Sequence, residues 1–329
     1  MKKINIAILG AGSIANMMGT TVQKMDTVTA YAVASRDMGR AQSIARKYGF
    51  EKAYGSYEEM LSDPKVDLVY IATPHSLHAA NVRQCLEAGK HVLCEKSFTV
   101  TAREARSITA LAKEKKLLLT EAIWPRYMPM AKTLLDFVKS EKIGKIHSLT
   151  CNLGYPIGHI ERIQNPDLAG GALLDVGIYT LSFASLIMGN DVKEITTTAV
   201  MNDRGVDLKS TTTLTYSDGR ISSLFSSVLG PTDRMGILYG DTGYAIVDNI
   251  NNFESLKIYN AEHELTEQIN RPAQITGYEY EVQAAADAIN AGELECADMP
   301  HAETILIMEL MDKIRHIWGL WYPGEKDQA

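Results

Sequence analysis

Ile4-Asn5-Ile6-Ala7-Ile8-Leu9-Gly10-Ala11-Gly12-Ser13-Ile14-Ala15 opens the chain and decides the fold of its first third. Ile4–Leu9 is an apolar run bounded by Gly10, as expected of a strand buried on both faces of a parallel sheet. Gly10, Gly12 and Ala15 fit G-x-G-x-x-G/A, with alanine in the third place. Gly10 would make the tight turn, Gly12 would let backbone amides approach a pyrophosphate, and Ala15 would allow close helix–strand packing. The helix that follows offers unpaired N–H groups, from Ser13 and Ile14 onward, and the positive end of its dipole. The motif alone is weak. Its weight comes from its place at the first strand–helix turn of a βαβ pattern.

Working outward, Thr29–Ala34, Leu68–Ala72, His91–Cys94 and Leu117–Thr120 repeat the strand pattern. Helical stretches Ser13–Lys24, Met38–Tyr48, Leu77–Ala88 and Ala102–Lys115 lie between them. Gly49 and Gly89 stand where helices should end, and Thr101 with Glu104 has capping-box spacing. This alternation implies an N-terminal Rossmann parallel sheet, α/β in class, over residues 1–122. After Ala122 the texture changes. Tyr127–Val138 and Ala172–Ile187 read as helices, and Asp191–Glu267 as short strands joined by turns at Ser217-Asp218-Gly219 and Asp241-Thr242-Gly243. Helices return at Tyr278–Asn290 and Ala302–Trp318. Residues 123–329 are therefore expected to form a C-terminal α+β domain with a large, mostly antiparallel sheet.

The whole chain sets outer limits. It has 329 residues, enough for about two domains, with 46% hydrophobic and 22% charged residues. A net charge of -7 argues against a nucleic-acid partner. Four scattered cysteines, with no C-x-x-C pair, argue against a disulfide framework or zinc site, so a cytoplasmic protein with free thiols is expected. The run before Gly10 is too short for a secretion signal, and no stretch reads as a membrane span.

The second strand should end against the cofactor's ribose. The residues there are Ala34-Ser35-Arg36-Asp37, with Arg40 one helical turn later. An NAD enzyme would place Asp or Glu at that strand end. A hydroxyl from Ser35 and guanidinium groups from Arg36 and Arg40 suit a 2′-phosphate instead, which makes NADP the expected cofactor with NAD possible. Asp37 fits as a helix N-cap.

Three further segments carry chemistry: Ala72-Thr73-Pro74-His75 with His78, Glu95-Lys96-Ser97, and Gly170-Gly171-Ala172-Leu173-Leu174-Asp175-Val176-Gly177-Ile178-Tyr179. Together they resemble the glucose–fructose oxidoreductase/inositol dehydrogenase (Gfo/Idh/MocA) family, with its A-T-P-x-x-x-H, G-K-H-V-x-x-E-K-P and G-G-G-x-L-x-D-x-G-x-H motifs. Tyr179 in place of the last histidine, with Thr120-Glu121-Ala122-Ile123-Trp124, is most similar to the dimeric dihydrodiol dehydrogenase branch. NADP-dependent D-xylose dehydrogenases share that branch. The match spans the chain to about Gly189. By this resemblance Thr73, Pro74, His75 and His78 belong to the cofactor loop, Glu95 lies beside the nicotinamide, and Lys96 orients cofactor ribose and substrate hydroxyl. Ser97 departs from the family's proline, and serine admits a trans bond, since cis before a non-proline residue costs about 2.5–4 kcal/mol.

The chemistry agrees. Oxidising a secondary alcohol needs a base for the hydroxyl proton. Tyr179 can serve if a neighbouring Lys96 ammonium lowers its pKa by favouring phenolate, and the same cation would stabilise an alkoxide-like oxygen. Asp175 would bind a substrate hydroxyl or orient the Lys96–Tyr179 pair. Trp124 is a candidate wall for a sugar or diol ring or else plain interdomain core, and Arg126 a substrate contact or the partner of a carboxylate. His159, Glu161 and Arg162 are placed at the pocket mouth. No metal is expected. The expected activity is an NAD(P)-dependent dehydrogenase or reductase acting on a small-molecule sugar, polyol or cyclic vicinal diol. The alternatives are an enzyme that retains its nicotinamide to assist glycosidic cleavage or epimerisation, and a cofactor sensor. A homodimer or higher homo-oligomer is expected, because no helix in sequence covers one face of the second sheet.

Overall fold

The computed structural model describes residues 2–325, which divide into two compact units. The first comprises the described residues up to Tyr127 with Gln274–Ile305, the second Met128–Ala273 with the described residues from Leu306 onward.

The first unit begins β1 (Ile4–Leu9), α1 (Ser13–Val22), β2 (Val28–Ala34), α2 (Met38–Tyr48), β3 (Lys52–Tyr54) and α3 (Tyr57–Leu61). It continues β4 (Leu68–Ile71), α4 (His78–Glu87), β5 (His91–Glu95), α5 (Ala102–Lys115) and β6 (Leu119–Ala122). The strands form one parallel sheet in the order β3-β2-β1-β4-β5-β6, the doubly wound Rossmann order. Every residue of β4 is buried, and so is every residue of β1 but Asn5, as sheet faces covered by helices require. Asp37 caps α2 by accepting from Arg40 N–H, and Gly49 ends it with φ 74°. Thr101 and Glu104 form the expected capping box of α5, a device of roughly 1 kcal/mol. β3 and α3 are short, and the sequence pattern gave no sign of them.

Two boundaries differ from expectation. β6 lies two residues later than the apolar run Leu117–Thr120 suggests. More consequentially, residues 274–305 pack with the first unit although they follow the second in sequence. Their helix buries Val282, Ala285 and Ala286, and the edge strand β6 explains the return. Leu119 N–H donates to Leu294 O at 3.1 Å, and the Leu119 carbonyl meets His301 Nε2 at 2.7 Å, so this segment satisfies an otherwise open strand edge.

The second unit contains α6 (Pro129–Ser140), β7 (Ile146–Gly154), α7 (Glu161–Gln164) and α8 (Ile178–Met188). There follow β8 (Val192–Met201), β9 (Asp207–Tyr216), β10 (Ile221–Ser227), β11 (Gly236–Gly240), β12 (Gly243–Asp248), β13 (Ser255–Asn260) and β14 (Leu265–Asn270). Helices α9 (Glu279–Ala291), in the first unit, and α10 (His301–Ile317), which the division cuts, complete the chain. The eight-stranded sheet runs β14-β13-β12-β11-β7-β10-β9-β8 and is antiparallel except where β7 meets β10. β7, for which the sequence reading gives no element, sits inside it. Leu149, Cys151, Leu153, Leu214, Leu224, Leu238, Val247 and Leu256 share its buried face, against which α8 packs. The stretch Pro166–Met188 is long and apolar enough to cross a membrane, contrary to the sequence reading, but 94% of its most apolar window is buried in protein. All four cysteines are buried and unpaired, and burial pushes the Cys85 and Cys296 thiols to about 12.

Candidate active site

The glycine turn has the shape its sequence implies. Gly10 adopts φ 109°, and a Cβ there would lie 2.8 Å from the Ala72 carbonyl, so only glycine fits. Gly12, the N-cap of α1, has nothing within 4 Å of where its Cβ would be, and no side chain caps the helix. The first amides of α1, at Ser13 and Ile14, thus open onto a space a diphosphate can fill. Ala15 is fully buried, as close helix–sheet packing demands. These residues fit a dinucleotide.

At the end of β2, Ser35 is buried, and its hydroxyl accepts the Asp37 N–H at 3.2 Å. Arg36 and Arg40 are exposed, and Arg40 Nε lies 3.7 Å from Asp37. Two exposed cations flank a short buried hydroxyl, and no acidic side chain stands at position 36, where it would repel a phosphate.

Lys96 follows β5 in a turn locked by its neighbours. His78 Nδ1 lies 2.8 Å from the Ser97 carbonyl and Nε2 lies 2.8 Å from the Thr73 carbonyl. This fully buried ring ties the Ala72-Thr73-Pro74 turn to the Glu95-Lys96-Ser97 turn. Burial pushes its pKa below the usual range, against the two carbonyls, which favour the imidazolium. Thr73 Oγ1 donates to Asn81 at 2.9 Å, and His75 meets His78 edge-on with ring centroids 5.7 Å apart. The Lys96–Ser97 peptide is cis rather than trans, and the Phe98 N–H beyond it donates to Glu121 at 3.2 Å.

The carboxyl ends of β5 and β6 gather acids. Glu95 accepts the Tyr70 hydroxyl and the Lys96 N–H, the latter at 3.2 Å. Glu121 is pushed up to about 7 by burial, against hydrogen bonds from Thr304 and Phe98. Glu281 on α9 is fully buried with neither oxygen hydrogen-bonded, and burial together with the Glu95 charge holds its carboxyl well above the usual range. Glu121 stands in the Thr120–Trp124 segment that carries the family resemblance, whereas no spacing rule marks Glu281, since a buried acid on a helix looks like a surface one in sequence.

Trp124 is buried and stacks flat on Tyr278, with centroids 4.4 Å apart. Arg126 is buried and paired with Glu303, which is the carboxylate alternative of the sequence reading.

In the second unit, the stretch Ala172–Ile187 is not one regular α-helix as expected. Leu173–Gly177 is a π-helical turn that runs into α8 at Ile178. Gly177 packs closely, its Cβ position lying 3.1 Å from Leu173 and 3.3 Å from Ser226, so a side chain there would make both neighbours give by a few tenths of an ångström. Single π turns of this kind concentrate at functional sites. Asp175 is buried and gripped by both guanidinium nitrogens of Arg162, at 2.9 and 3.3 Å. Tyr179 is buried in the first turn of α8. Glu161 pairs with Arg204 at 3.0 Å, and His159 is exposed.

The Rossmann strand order and the open glycine turn define a dinucleotide-binding protein with a second, α+β unit. Residues 4–123 match the model of the oxidoreductase family with an NAD-binding Rossmann fold, and residues 131–246 that of the GFO/IDH/MocA C-terminal domain. The chain belongs to the Gfo/Idh/MocA family and is an NAD(P)-binding oxidoreductase. The trans-1,2-dihydrobenzene-1,2-diol dehydrogenase of Mus musculus is 32% identical over 332 residues, covering 97% of this chain and 98% of its own. That of Homo sapiens is 32% identical over 301 residues, 90% of each. Among solved structures, a 3-ketoreductase from Actinomadura kijaniata in complex with NADP and TDP-benzene has 26% identity and a TM-score of 0.86, covering 96% of this chain and 98% of its own. A levoglucosan dehydrogenase in complex with NADH and levoglucosan, at 18% identity and TM-score 0.83, shares the fold.

Proposed function

We propose that the protein is an NADP-preferring dehydrogenase, or reductase in the reverse direction, acting on a secondary alcohol of a sugar or cyclic vicinal diol. The observation that carries this reading is the Lys96 turn. It places an ammonium group at the carboxyl end of β5, where open parallel sheets bind ligands, and His78 ties it to the loop after β4. The substrate class rests on the diol dehydrogenases and the sugar-nucleotide ketoreductase to which the chain is similar.

Gly10, Gly12, Ser13 and Ile14 would hold the diphosphate, and Ser35, Arg36 and Arg40 the 2′-phosphate; Thr73, Pro74, His75, His78 and Glu95 would complete the cradle. When bound, the nicotinamide accepts or returns the hydride. Tyr179 Oη would take the hydroxyl proton in oxidation and return it in reduction, and Lys96 Nζ would steady negative charge on the substrate oxygen. Asp175 spends part of its acceptor capacity on Arg162, and a carboxylate with about four lone-pair sites can still take a substrate hydroxyl. Trp124, fixed by Tyr278, is the candidate wall for the ring. The pairing of Arg126 with Glu303 favours a supporting role for that residue over direct substrate contact.

A homodimer or higher homo-oligomer and a cytoplasmic location complete the reading. The first is supported by Val200, Ile221 and Leu265, large apolar side chains left exposed on the strands of the second sheet, and the second by four reduced, buried thiols. The test is a panel of sugars, inositols and vicinal diols, followed by reduced-cofactor absorbance with NADP and NAD in parallel. Net reduction of NADP with at least one member, several-fold better than with NAD, is expected. Tight cofactor binding without net reduction by any of them would replace this reading with the retained-nicotinamide one.

A further inference from the structure

We propose that Asp207 is a positioning residue, whose carboxylate on β9 anchors the Gly170–Leu173 turn and so sets where Asp175 and Tyr179 stand. This inference rests on the role given to Tyr179 above. Asp207 is fully buried, and its Oδ2 accepts the Leu173 N–H at 2.8 Å. Neither the π turn nor α8 has a side-chain cap of its own, so the cap arrives from a strand 34 residues downstream. The negative end of Asp207 faces the positive end of the helix that carries both site residues.

The approach is close. Gly171 has φ 111°, and a Cβ on it would lie 2.2 Å from Asp207 Oδ1, so a glycine at 171 is what lets this carboxylate in, while Gly170 beside it packs on the Ile163 and Arg162 carbonyls. Oδ1 has no hydrogen-bond partner. Burial pushes the Asp207 carboxyl up to about 7, held back by the N–H groups of Leu173, Asp207 itself and Ala172. An ordinary cap would be a solvated Ser, Thr or Asn, without this desolvation cost.

The turn is held from a second side. The Tyr322 hydroxyl donates to the Gly170 carbonyl at 2.5 Å. Tyr322 is fixed in turn, its N–H on Glu325 at 3.0 Å and its ring 5.3 Å from the guanidinium of the fully buried Arg315, which pairs with Glu325. Gly171 N–H also donates to the Ile163 carbonyl at 2.8 Å. A turn clamped by a buried acid and by an anchored tyrosine can hold the phenol of Tyr179 to the sub-ångström tolerance that proton transfer requires.

The test compares Asp207→Ala, Asp207→Asn and Tyr322→Phe with wild type, using trans-1,2-dihydrobenzene-1,2-diol and NADP, with rates normalised to folded protein. Asp207→Ala is expected to lower kcat about ten- to a hundredfold with KM for NADP unchanged, and Asp207→Asn, which keeps an acceptor for Leu173, to recover most of it. Tyr322→Phe should lower kcat less, again without changing KM for NADP. Hydrogen exchange at residues 171–175, measured without substrate, should quicken in Asp207→Ala and Tyr322→Phe. Should Asp207→Ala not fold, Tyr322→Phe and Asp207→Asn carry the comparison. Wild-type kcat and exchange in the folded variants, whatever their Tm, would overturn the inference. Tyr179→Phe is run alongside. A normal rate there overturns the functional reading, whereas a slow Tyr179→Phe beside fast Asp207 and Tyr322 variants overturns only this one.

Discussion

Replacing Arg162 by alanine strips the buried Asp175 carboxylate of a two-pronged partner. The side chain of Asp175 is 5% exposed and that of Arg162 41%. Breaking a fully buried pair by removing one partner costs about 3–5 kcal/mol, whereas exposed pairs contribute about 0–1 kcal/mol. With one end in protein and the other partly in water, the bidentate contact at 2.9 and 3.3 Å belongs between these limits. Arg162→Ala should therefore destabilise the protein by about 1–2 kcal/mol, which in a domain of 150–250 residues lowers Tm by roughly 2–8 °C. Asp175→Asn removes the charge that Arg162 leaves behind, so the double variant should lose much less than the sum of the single ones. A double-mutant cycle by urea unfolding reads this directly, with an expected coupling of about 1 kcal/mol. Additive single variants, within about 0.3–0.5 kcal/mol, would show that Arg162 does not hold Asp175 and would refute the reasoning.

Glu121, raised from 4.5 to about 7 by burial, should make stability depend on pH. The folded state binds the extra proton, so stabilisation is full below pH ~4.5 and is lost as pH rises through about 7. Glu121→Gln should flatten that decline in urea midpoints between pH 5 and 8; an unchanged slope would count against it. Arg36→Ala should raise KM for NADP about tenfold or more and leave KM for NAD unchanged, in line with the loss of a charged hydrogen bond. Trp124→Ala, removing a buried ring stacked on Tyr278, should cost about 3–5 kcal/mol of stability by thermal unfolding, and a loss below 1 kcal/mol would mean the stack is idle.

The parts of the fold read correctly from sequence are those where local pattern and tertiary packing agree. Ile4–Leu9 and Met38–Tyr48 carry their own periodicity and caps, and Thr101 with Glu104 announces α5 to the residue. What escaped depends on partners far along the chain. Ile146–Gly154 alternates inward Leu149, Cys151 and Leu153 with polar residues, but its place inside an eight-stranded sheet is set by β10 and β11. Residues 274–305 follow the second domain in sequence, and only the open edge of β6 shows why they return to the first unit.

The site divides in the same way. Gly10, Gly12, Lys96, Asp175 and Tyr179 lie in motifs whose spacing is local, so sequence could single them out. Asp207 and Tyr322 meet the Gly170–Leu173 turn over long separations, Glu281 is buried on a helix far along the chain, and none stands in a motif. The π turn at Leu173–Gly177 was likewise invisible, because Gly177 is shaped by Leu173 and by Ser226 on another strand.

The most direct test of the account is turnover by Tyr179→Phe and Lys96→Met with NADP and a diol that the wild type oxidises, beside NADP affinity measured by quenching of the protein's tryptophan fluorescence. Each variant is expected to bind NADP and to turn over at least about a hundredfold more slowly, the usual contribution of a general acid–base group. Near-normal turnover in either, with NADP still bound, would contradict the assignment of the proton-transfer chemistry to this pair.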